Sequence, residues 1–157
     1  MTSKGCPDCV AGPHRRRLLL GALALPLLAI KPSKVLAAPD EPVASLAELA
    51  EPWSSVKFTL TDDGDPMPCI VVRLPGGAWY ASSLICPHNK CEVTYVTDPV
   101  TARNSFDVDV SAPVLACPCH FSVFDIPRHG QVIAGPAPNP PLQLKVRVQD
   151  DKVFISR

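Results

Sequence analysis

The sequence holds 157 residues, enough for one domain of ordinary size, and its 15 basic residues balance 15 acidic ones. This balance excludes a net field that would attract nucleic acid or an anionic membrane surface, so no nucleic-acid partner is expected. The 19 prolines and 7 cysteines are high counts for this length. They favour short strands over long helices and imply metal ligation, disulfides or both.

The N-terminal segment, residues 1–38, is typical of an export signal. Three arginines at 15–17 precede an apolar run at 18–30, and small residues follow it. The run is shorter than the roughly 20 residues that a membrane-spanning helix needs, so we expect cleavage near Ala37 or Ala38. A retained membrane anchor is the alternative. The paired arginines resemble a twin-arginine signal, which predicts a periplasmic protein.

Residues 39–50 are predicted to be a linker, and the folded domain is expected over residues 51–157. Runs rich in β-branched and aromatic residues recur along this domain, and none of its windows has a convincing helical period. The fold class is therefore predicted to be all-β, a small sandwich or barrel. The predicted strands cover residues 56–60, 69–74, 78–85, 93–97, 142–148 and 152–156.

Two Cys/His clusters, CPHNKC and CPCH, follow strand-like segments. Cys86 and His88 from the first and Cys117 and His120 from the second supply two sulfurs and two nitrogens. This set suits a tetrahedral zinc ion or a 2Fe-2S cluster in which two histidines replace two cysteines on one iron. Because each loop gives one ligand of each kind, the two-iron cluster is favoured. A structural zinc module is the alternative from another functional class.

The other cysteines fall into three groups. Cys91 and Cys119 lie one in each loop, and if the loops meet at one cofactor a disulfide can join them, as an oxidising compartment permits. The alternative is that either thiol is simply buried. Cys69 is interpreted as a buried strand thiol. Cys6 and Cys9 have metal-binding spacing but would leave with the signal.

The paired motifs C-x-H and C-P-C-H, with a cysteine five residues after the first ligand, resemble the Rieske 2Fe-2S proteins of the respiratory, disulfide-containing type. The resemblance covers roughly residues 68–157. It implies a small antiparallel β-sandwich with a cluster-binding subdomain of two loops. It also implies that Cys86 and Cys117 hold the buried iron, while His88 and His120 hold the outer one.

The resemblance assigns further residues around the cluster. Cys91 and Cys119 match the family disulfide, and Ser122 matches a serine that hydrogen-bonds a bridging sulfide. Phe124 stands at an aromatic position, and Gly135 with Pro136 matches a proline loop over the third side. Quinol-oxidising members have a Tyr at the aromatic position, and its hydroxyl donates to a ligand sulfur. Phe cannot donate, so a lower midpoint potential is expected here.

Residues 88–90 and 120–121, which we call the tip, differ from the quinol-oxidising members of the family. Those members carry Leu and Gly where this chain has Asn89 and Lys90, and Gly where it has Phe121. The surrounding sequence is more similar to the small subunit of arsenite oxidase. That resemblance implies a periplasmic electron-transfer subunit with no substrate site of its own. Its partners would be a large molybdopterin-type catalytic subunit and a cytochrome c or copper protein. The alternative is the Rieske subunit of a quinol-oxidising cytochrome bc complex.

The segment between the two clusters is longer than expected in either group, because 28 residues separate His88 from Cys117. Residues 100–113 are therefore predicted to be an inserted loop. A surface excursion of this kind costs little, and a docking element for a partner is the other interpretation.

Overall fold

The computed structural model describes residues 41–157, so the predicted export signal with Cys6 and Cys9 lies outside the described residues. Within them, no helix is long and apolar enough to cross a membrane. Two single turns of 3-10 helix accompany the regular elements, at Pro75–Gly77 and Ile126–Arg128. The regular elements are β1 Ala44–Ser45, β2 Ser55–Asp62, β3 Asp65–Arg73, β4 Trp79–Ser83, β5 Thr94–Val96, α1 Pro99–Phe106, β6 Val114–Ala116, β7 Val123–Asp125, β8 Gln131–Ala134, β9 Lys145–Gln149 and β10 Lys152–Ser156.

The described strands form three antiparallel sheets, with orders β1-β10-β9, β2-β3-β4 and β5-β6-β7-β8. The predicted all-β fold is confirmed. The six predicted strands appear as β2 to β5, β9 and β10 with shifted ends. Strands β6 to β8 were not predicted, because three or four residues are too few to show a period of two.

Strand β3 connects the two main parts of the core, because both of its faces are buried. Cys69 and Val71 point into an apolar cluster shared with the β9–β10 hairpin, while Ile70 and Val72 point into a second cluster. Since side chains alternate along a strand, two buried faces require a continuous apolar run. The second cluster also contains Cys86 and so supports the Cys/His loops directly.

The sheet β1-β10-β9 joins the two ends of the described chain. Strand β1 and the buried Leu49 both lie in residues 39–50, the range predicted as a linker. The predicted hairpin is present, and Asp150 and Asp151 form its two-residue turn with φ of 50° and 57°. Positive φ at both central residues is what a tight hairpin turn requires.

The predicted inserted loop contains a helix, α1, which corrects the expectation of an irregular excursion. The Asp98 carboxylate accepts hydrogen bonds from the backbone N–H groups of Val100 at 3.2 Å and Thr101 at 2.9 Å, which caps the helix. A left-handed residue, Asp107 with φ of 54°, ends it. Only Ala102 of this helix is buried, so the sequence carries no 3.6-residue apolar pattern that would reveal it.

Candidate metal centre

The first Cys/His loop begins at Cys86 and ends at Cys91. The Cys86 N–H donates to the Cys91 carbonyl at 2.8 Å, and the Lys90 N–H donates to the Cys86 carbonyl at 2.9 Å. A β-bridge between Ile85 and Glu92 closes the base of this loop. The loop is therefore a backbone-bonded turn that fixes the direction of its side chains.

The second Cys/His loop begins at Cys117 and ends at Ser122, and it repeats that geometry. The Cys117 N–H donates to the Ser122 carbonyl at 2.8 Å, and the Phe121 N–H donates to the Cys117 carbonyl at 3.0 Å. Paired residues Ala116 and Val123 close its base. The two turns thus present Cys86 and Cys117 from the same first position, while His88 is the third residue of its turn and His120 the fourth.

The two predicted histidine ligands meet at the surface of the protein. The ring centroids of His88 and His120 lie 4.8 Å apart with the ring planes perpendicular. Both side chains are exposed. The sequence separates these histidines by more than thirty residues, so their meeting depends on the two loops facing each other.

The two predicted cysteine ligands lie in the core. Cys86 and Cys117 are each 1% exposed and belong to one apolar cluster that also contains Phe124. Burial raises the pKa of the Cys86 thiol, and the adjacent Cys117 raises it further. The backbone N–H groups of His88 and Asn89 lower this pKa in turn, because hydrogen bonds to the sulfur favour the thiolate.

A disulfide joins Cys91 to Cys119 and ties the two loops together, as predicted. The sulfur atoms of Cys91, Cys117 and Cys119 all lie within 4.8 Å of one another. The disulfide is therefore adjacent to a candidate ligand and holds the two halves of the site together.

The proline loop begins at Gly135 and packs directly on the second Cys/His loop. A side chain at Gly135 would lie 2.4 Å from the Ser122 Cα and 2.6 Å from the Phe121 carbonyl oxygen. The Ala137 N–H donates to the buried Ser122 hydroxyl at 3.1 Å. Ser122 thus fastens the proline loop, and Pro136 lies exposed beside it.

Replacing Gly135 with alanine should destabilise the protein by about 1–3 kcal/mol, since the new Cβ meets backbone atoms and φ at this position is 79°. Thermal unfolding followed by circular dichroism measures the effect. Gly76→Ala is the matched control, because Gly76 also has positive φ, at 76°, but open space around it. Equal losses of stability in Gly135→Ala and Gly76→Ala would show that close packing at Gly135 contributes nothing to stability.

Two features of the tip were not predicted. Lys90 and Phe121 adopt left-handed backbone, with φ of 54° and 57°, and the ring of Phe106 at the end of α1 contacts the ring of Phe121 at 6.2 Å between centroids. The left-handed backbone had a signal in the sequence, because CPHNKC and CPCHFS align as two six-residue turns. The contact between the two rings had no such signal, since it depends on the position of α1.

The donor set fits a two-iron cluster that has mixed ligation. Two buried cysteines lie beside each other, two exposed imidazoles lie beside each other, and backbone N–H groups hydrogen-bond to a sulfur, which tunes such clusters. Cys69 is excluded from this set as predicted: it lies buried on β3, and burial raises the pKa of its thiol to about 11.

The profile of the Rieske [2Fe-2S] domain matches residues 42–150 of this sequence. The chain belongs to the Rieske [2Fe-2S] family. Its cofactor is accordingly a 2Fe-2S cluster, which decides between the iron and zinc interpretations that the residues alone left open. The Rieske match also begins before Glu51, where the folded domain was expected to start.

Curated relatives of this Rieske chain include iron-sulfur subunits of the cytochrome b6-f complex. That of Chlorobaculum tepidum is 33% identical over 87 residues, which cover 55% of this chain and 40% of the relative. That of Chlorobaculum thiosulfatiphilum is 29% identical over 128 residues, 82% of this chain and 60% of the relative. The chain therefore spans about 40–60% of the length of these relatives.

Solved structures share the fold at low sequence identity. The plasma membrane Rieske protein PetC3 of Synechocystis PCC 6803 aligns with a TM-score of 0.51 and 20% identity, covering 74% of this chain and 99% of that one. The soluble domain of Rieske protein II (soxF) of Sulfolobus acidocaldarius aligns with a TM-score of 0.52 and 18% identity, covering 72% and 74%.

Proposed function

We propose that this Rieske protein carries single electrons between larger redox partners and binds no substrate of its own. The observations that support this most directly are a pair of exposed imidazoles, with ring centroids 4.8 Å apart, and two buried cysteines in one apolar cluster. Two of the residues that would hold the cofactor are thus at the surface and two are in the core. A partner can therefore approach the histidines without opening the fold.

In this proposal, Cys86, Cys117, His88 and His120 hold the cluster, which supplies a one-electron couple when bound. The chain's own residues set its surroundings. The apolar cluster around Phe124 excludes water from the sulfur side, and backbone N–H groups stabilise charge on the Cys86 sulfur. The disulfide and the proline loop hold the two Cys/His loops in place.

The first candidate for the parent assembly is a quinol-oxidising complex of the cytochrome bc class. Its support is the similarity to curated relatives that are named iron-sulfur subunits of the cytochrome b6-f complex, at 29–34% identity. This complex was the alternative prediction from the sequence, and the similarity to these relatives favours it over the arsenite oxidase-like enzyme.

The second candidate is the small subunit of an arsenite oxidase-like enzyme, with a molybdopterin-type large subunit and a cytochrome c or copper protein as electron acceptor. Its support is the tip. Lys90 is exposed and charged, Phe121 is exposed, and Phe124 provides no hydroxyl to a ligand sulfur. A charged tip is poorly suited to an apolar quinol pocket because burying an unpaired charge is costly.

Purification of the tagged full-length protein from its native host separates the candidates. A co-purifying b-type haem spectrum supports the bc-class complex, and stoichiometric molybdenum supports the arsenite oxidase-like enzyme. Electron transfer itself is tested on the isolated holoprotein by a redox titration. Uptake of one electron per chain is expected, and a protein with no titratable couple would contradict the proposal.

We also propose that the protein is exported to the periplasm through its twin-arginine-like N-terminus, residues 1–38. Folding before export suits a cofactor inserted in the cytoplasm, and the Cys91–Cys119 disulfide suits an oxidising compartment. Changing Arg15 and Arg16 to lysine should leave the protein in the cytoplasmic fraction. Mass spectrometry of the periplasmic form should show a mature chain that starts near Ala38.

A Phe124→Tyr substitution should raise the midpoint potential. Phe124 is fully buried in the cluster that contains both candidate ligand thiols, so a new hydroxyl there can donate to a sulfur. If that bond is worth about 1 kcal/mol more in the reduced state, the shift is about 40 mV. Protein-film voltammetry measures it, with Phe58→Tyr in the other core cluster as the control. An unchanged or lowered potential in Phe124→Tyr would refute the assignment.

A further inference from the structure

Two large side chains at the tip stand on strained backbone. Lys90 and Phe121 have φ of 54° and 57°, in the left-handed region that costs a residue with a Cβ roughly 1–2 kcal/mol. Each is the fifth residue of its Cys/His loop, so the two strained positions are structurally equivalent. Glycine adopts this backbone without penalty. Six other non-glycine residues in the range 41–157 also have positive φ, so the strain makes these two side chains candidates for a role and does not by itself assign one.

Both residues are exposed and close in sequence to a proposed ligand histidine. Phe121 follows His120 directly and is 55% exposed, and the exposed Lys90 lies two residues after His88. Aromatic residues are enriched where proteins contact each other. A lysine and a phenylalanine within two residues of the two histidines are therefore candidates for contact with a partner that approaches the imidazoles.

Lys90 gives this surface its charge. The two Cys/His loops and residues 135–141 contain no other Lys, Arg, Asp or Glu. Lys90 borders a groove with Asp63 and Asp65, yet no carboxylate of residues 41–157 lies within ion-pair distance of its ammonium group. Lys90 is thus the one charged residue of these loops, it forms no ion pair among residues 41–157, and it lies beside the carboxylates that line the groove.

Helix α1 positions the ring of Phe121. The rings of Phe106 and Phe121 meet with 66° between their planes, the edge-to-face arrangement that aromatic pairs prefer. The helix is anchored by buried Ala102 and by an ion pair between Arg103 and Asp109. Helix α1 thus holds an apolar contact at the residue that follows His120.

We propose that Lys90 and Phe121, the second held by α1, form the recognition pair for the electron-transfer partner. This rests on the proposed function, in which electrons pass through the imidazoles. The partner is a redox protein whose surface at the electron entry is apolar and carries a carboxylate opposite Lys90. Buried aromatic area supplies affinity, and the charge pair supplies orientation and a salt-dependent association rate.

The proposal is tested by voltammetry of the full-length holoprotein on gold coated with a mixed monolayer of carboxylate- and methyl-terminated alkanethiols. This monolayer presents the chemistry expected of the partner. Lys90→Gln and Phe121→Asn should each slow interfacial electron transfer by about three- to tenfold, and Lys90→Gln should also reduce the salt dependence. The controls are Lys152→Gln and Val148→Ser, exposed residues of the sheet β1-β10-β9, and they should keep the wild-type rate.

Two results would overturn this recognition pair. One is a rate in both variants equal to that of the controls, with an unchanged midpoint potential and visible spectrum. The other is a wild-type dimer in sedimentation that Phe121→Asn dissociates, since the surface would then bind a second copy of this chain. A wild-type protein without a titratable cluster would instead refute the proposed function itself, and the spectrum distinguishes this case.

Discussion

A Cys117→Ala variant is expected to lose the cofactor and the visible absorbance that accompanies it. Cys117 is 1% exposed, lies beside Cys86, and has its sulfur within 4.8 Å of both disulfide sulfurs. No nearby sulfur can replace Cys117 as a ligand, because the two disulfide sulfurs are bonded to each other and Cys86 is itself a proposed ligand. Iron content should fall from two per chain to near zero by elemental analysis.

Cys69→Ala is the matched control for this loss. Cys69 is also a fully buried free cysteine, but it lies on β3 in the other core cluster. Burial raises the pKa of its thiol to about 11, so the thiol is neutral and binds metal poorly. The control should keep its iron and its colour. Far-ultraviolet circular dichroism shows whether each variant is folded, and a folded, fully coloured Cys117→Ala protein would exclude Cys117 as a ligand.

Removing the disulfide should lower the free energy of unfolding by about 3 kcal/mol, because the bridge closes a loop in the unfolded chain. The sequence separation of Cys91 and Cys119 is 28 residues. Urea denaturation of the Cys91→Ala/Cys119→Ala double variant measures the loss. The cluster should also bleach at a lower urea concentration, since the disulfide holds the two Cys/His loops together.

Wild-type protein treated with a thiol reductant is the control for the disulfide prediction. It should unfold at the same urea concentration as the double variant, because both lack the same cross-link. Unfolding of the double variant at the wild-type urea concentration would mean that backbone hydrogen bonds and packing alone hold the loops together.

The chemistry of the site was readable from the sequence because few residue types bind iron. A cysteine and a histidine close together in each loop, at Cys86 with His88 and at Cys117 with His120, limit the cofactor to two kinds. The structure brings His88 and His120 together, places Cys86 and Cys117 in one buried cluster, and confirms the disulfide between the remaining loop cysteines. The buried run at 69–74 was readable for a related reason, since both faces of β3 are apolar.

The tip could not be predicted in the same way. Lysine and phenylalanine rarely adopt positive φ, so the left-handed backbone at Lys90 and Phe121 has a signal only in the alignment of CPHNKC with CPCHFS as two equivalent turns. Helix α1 buries a single alanine and is defined by its caps, which no apolar period reveals. The contact between Phe106 and Phe121 depends on where that helix lies, which is a property of the tertiary fold.

Pulsed electron paramagnetic resonance of the chemically reduced full-length protein tests the central claim most directly. If side chains of both loops converge on one cluster, the spectrum should show a two-iron centre coupled to two imidazole nitrogens. His88→Ala and His120→Ala should each remove nitrogen coupling or the centre itself. Zinc in place of iron, or a two-iron signal without nitrogen coupling, would contradict the assignment of His88 and His120 as ligands.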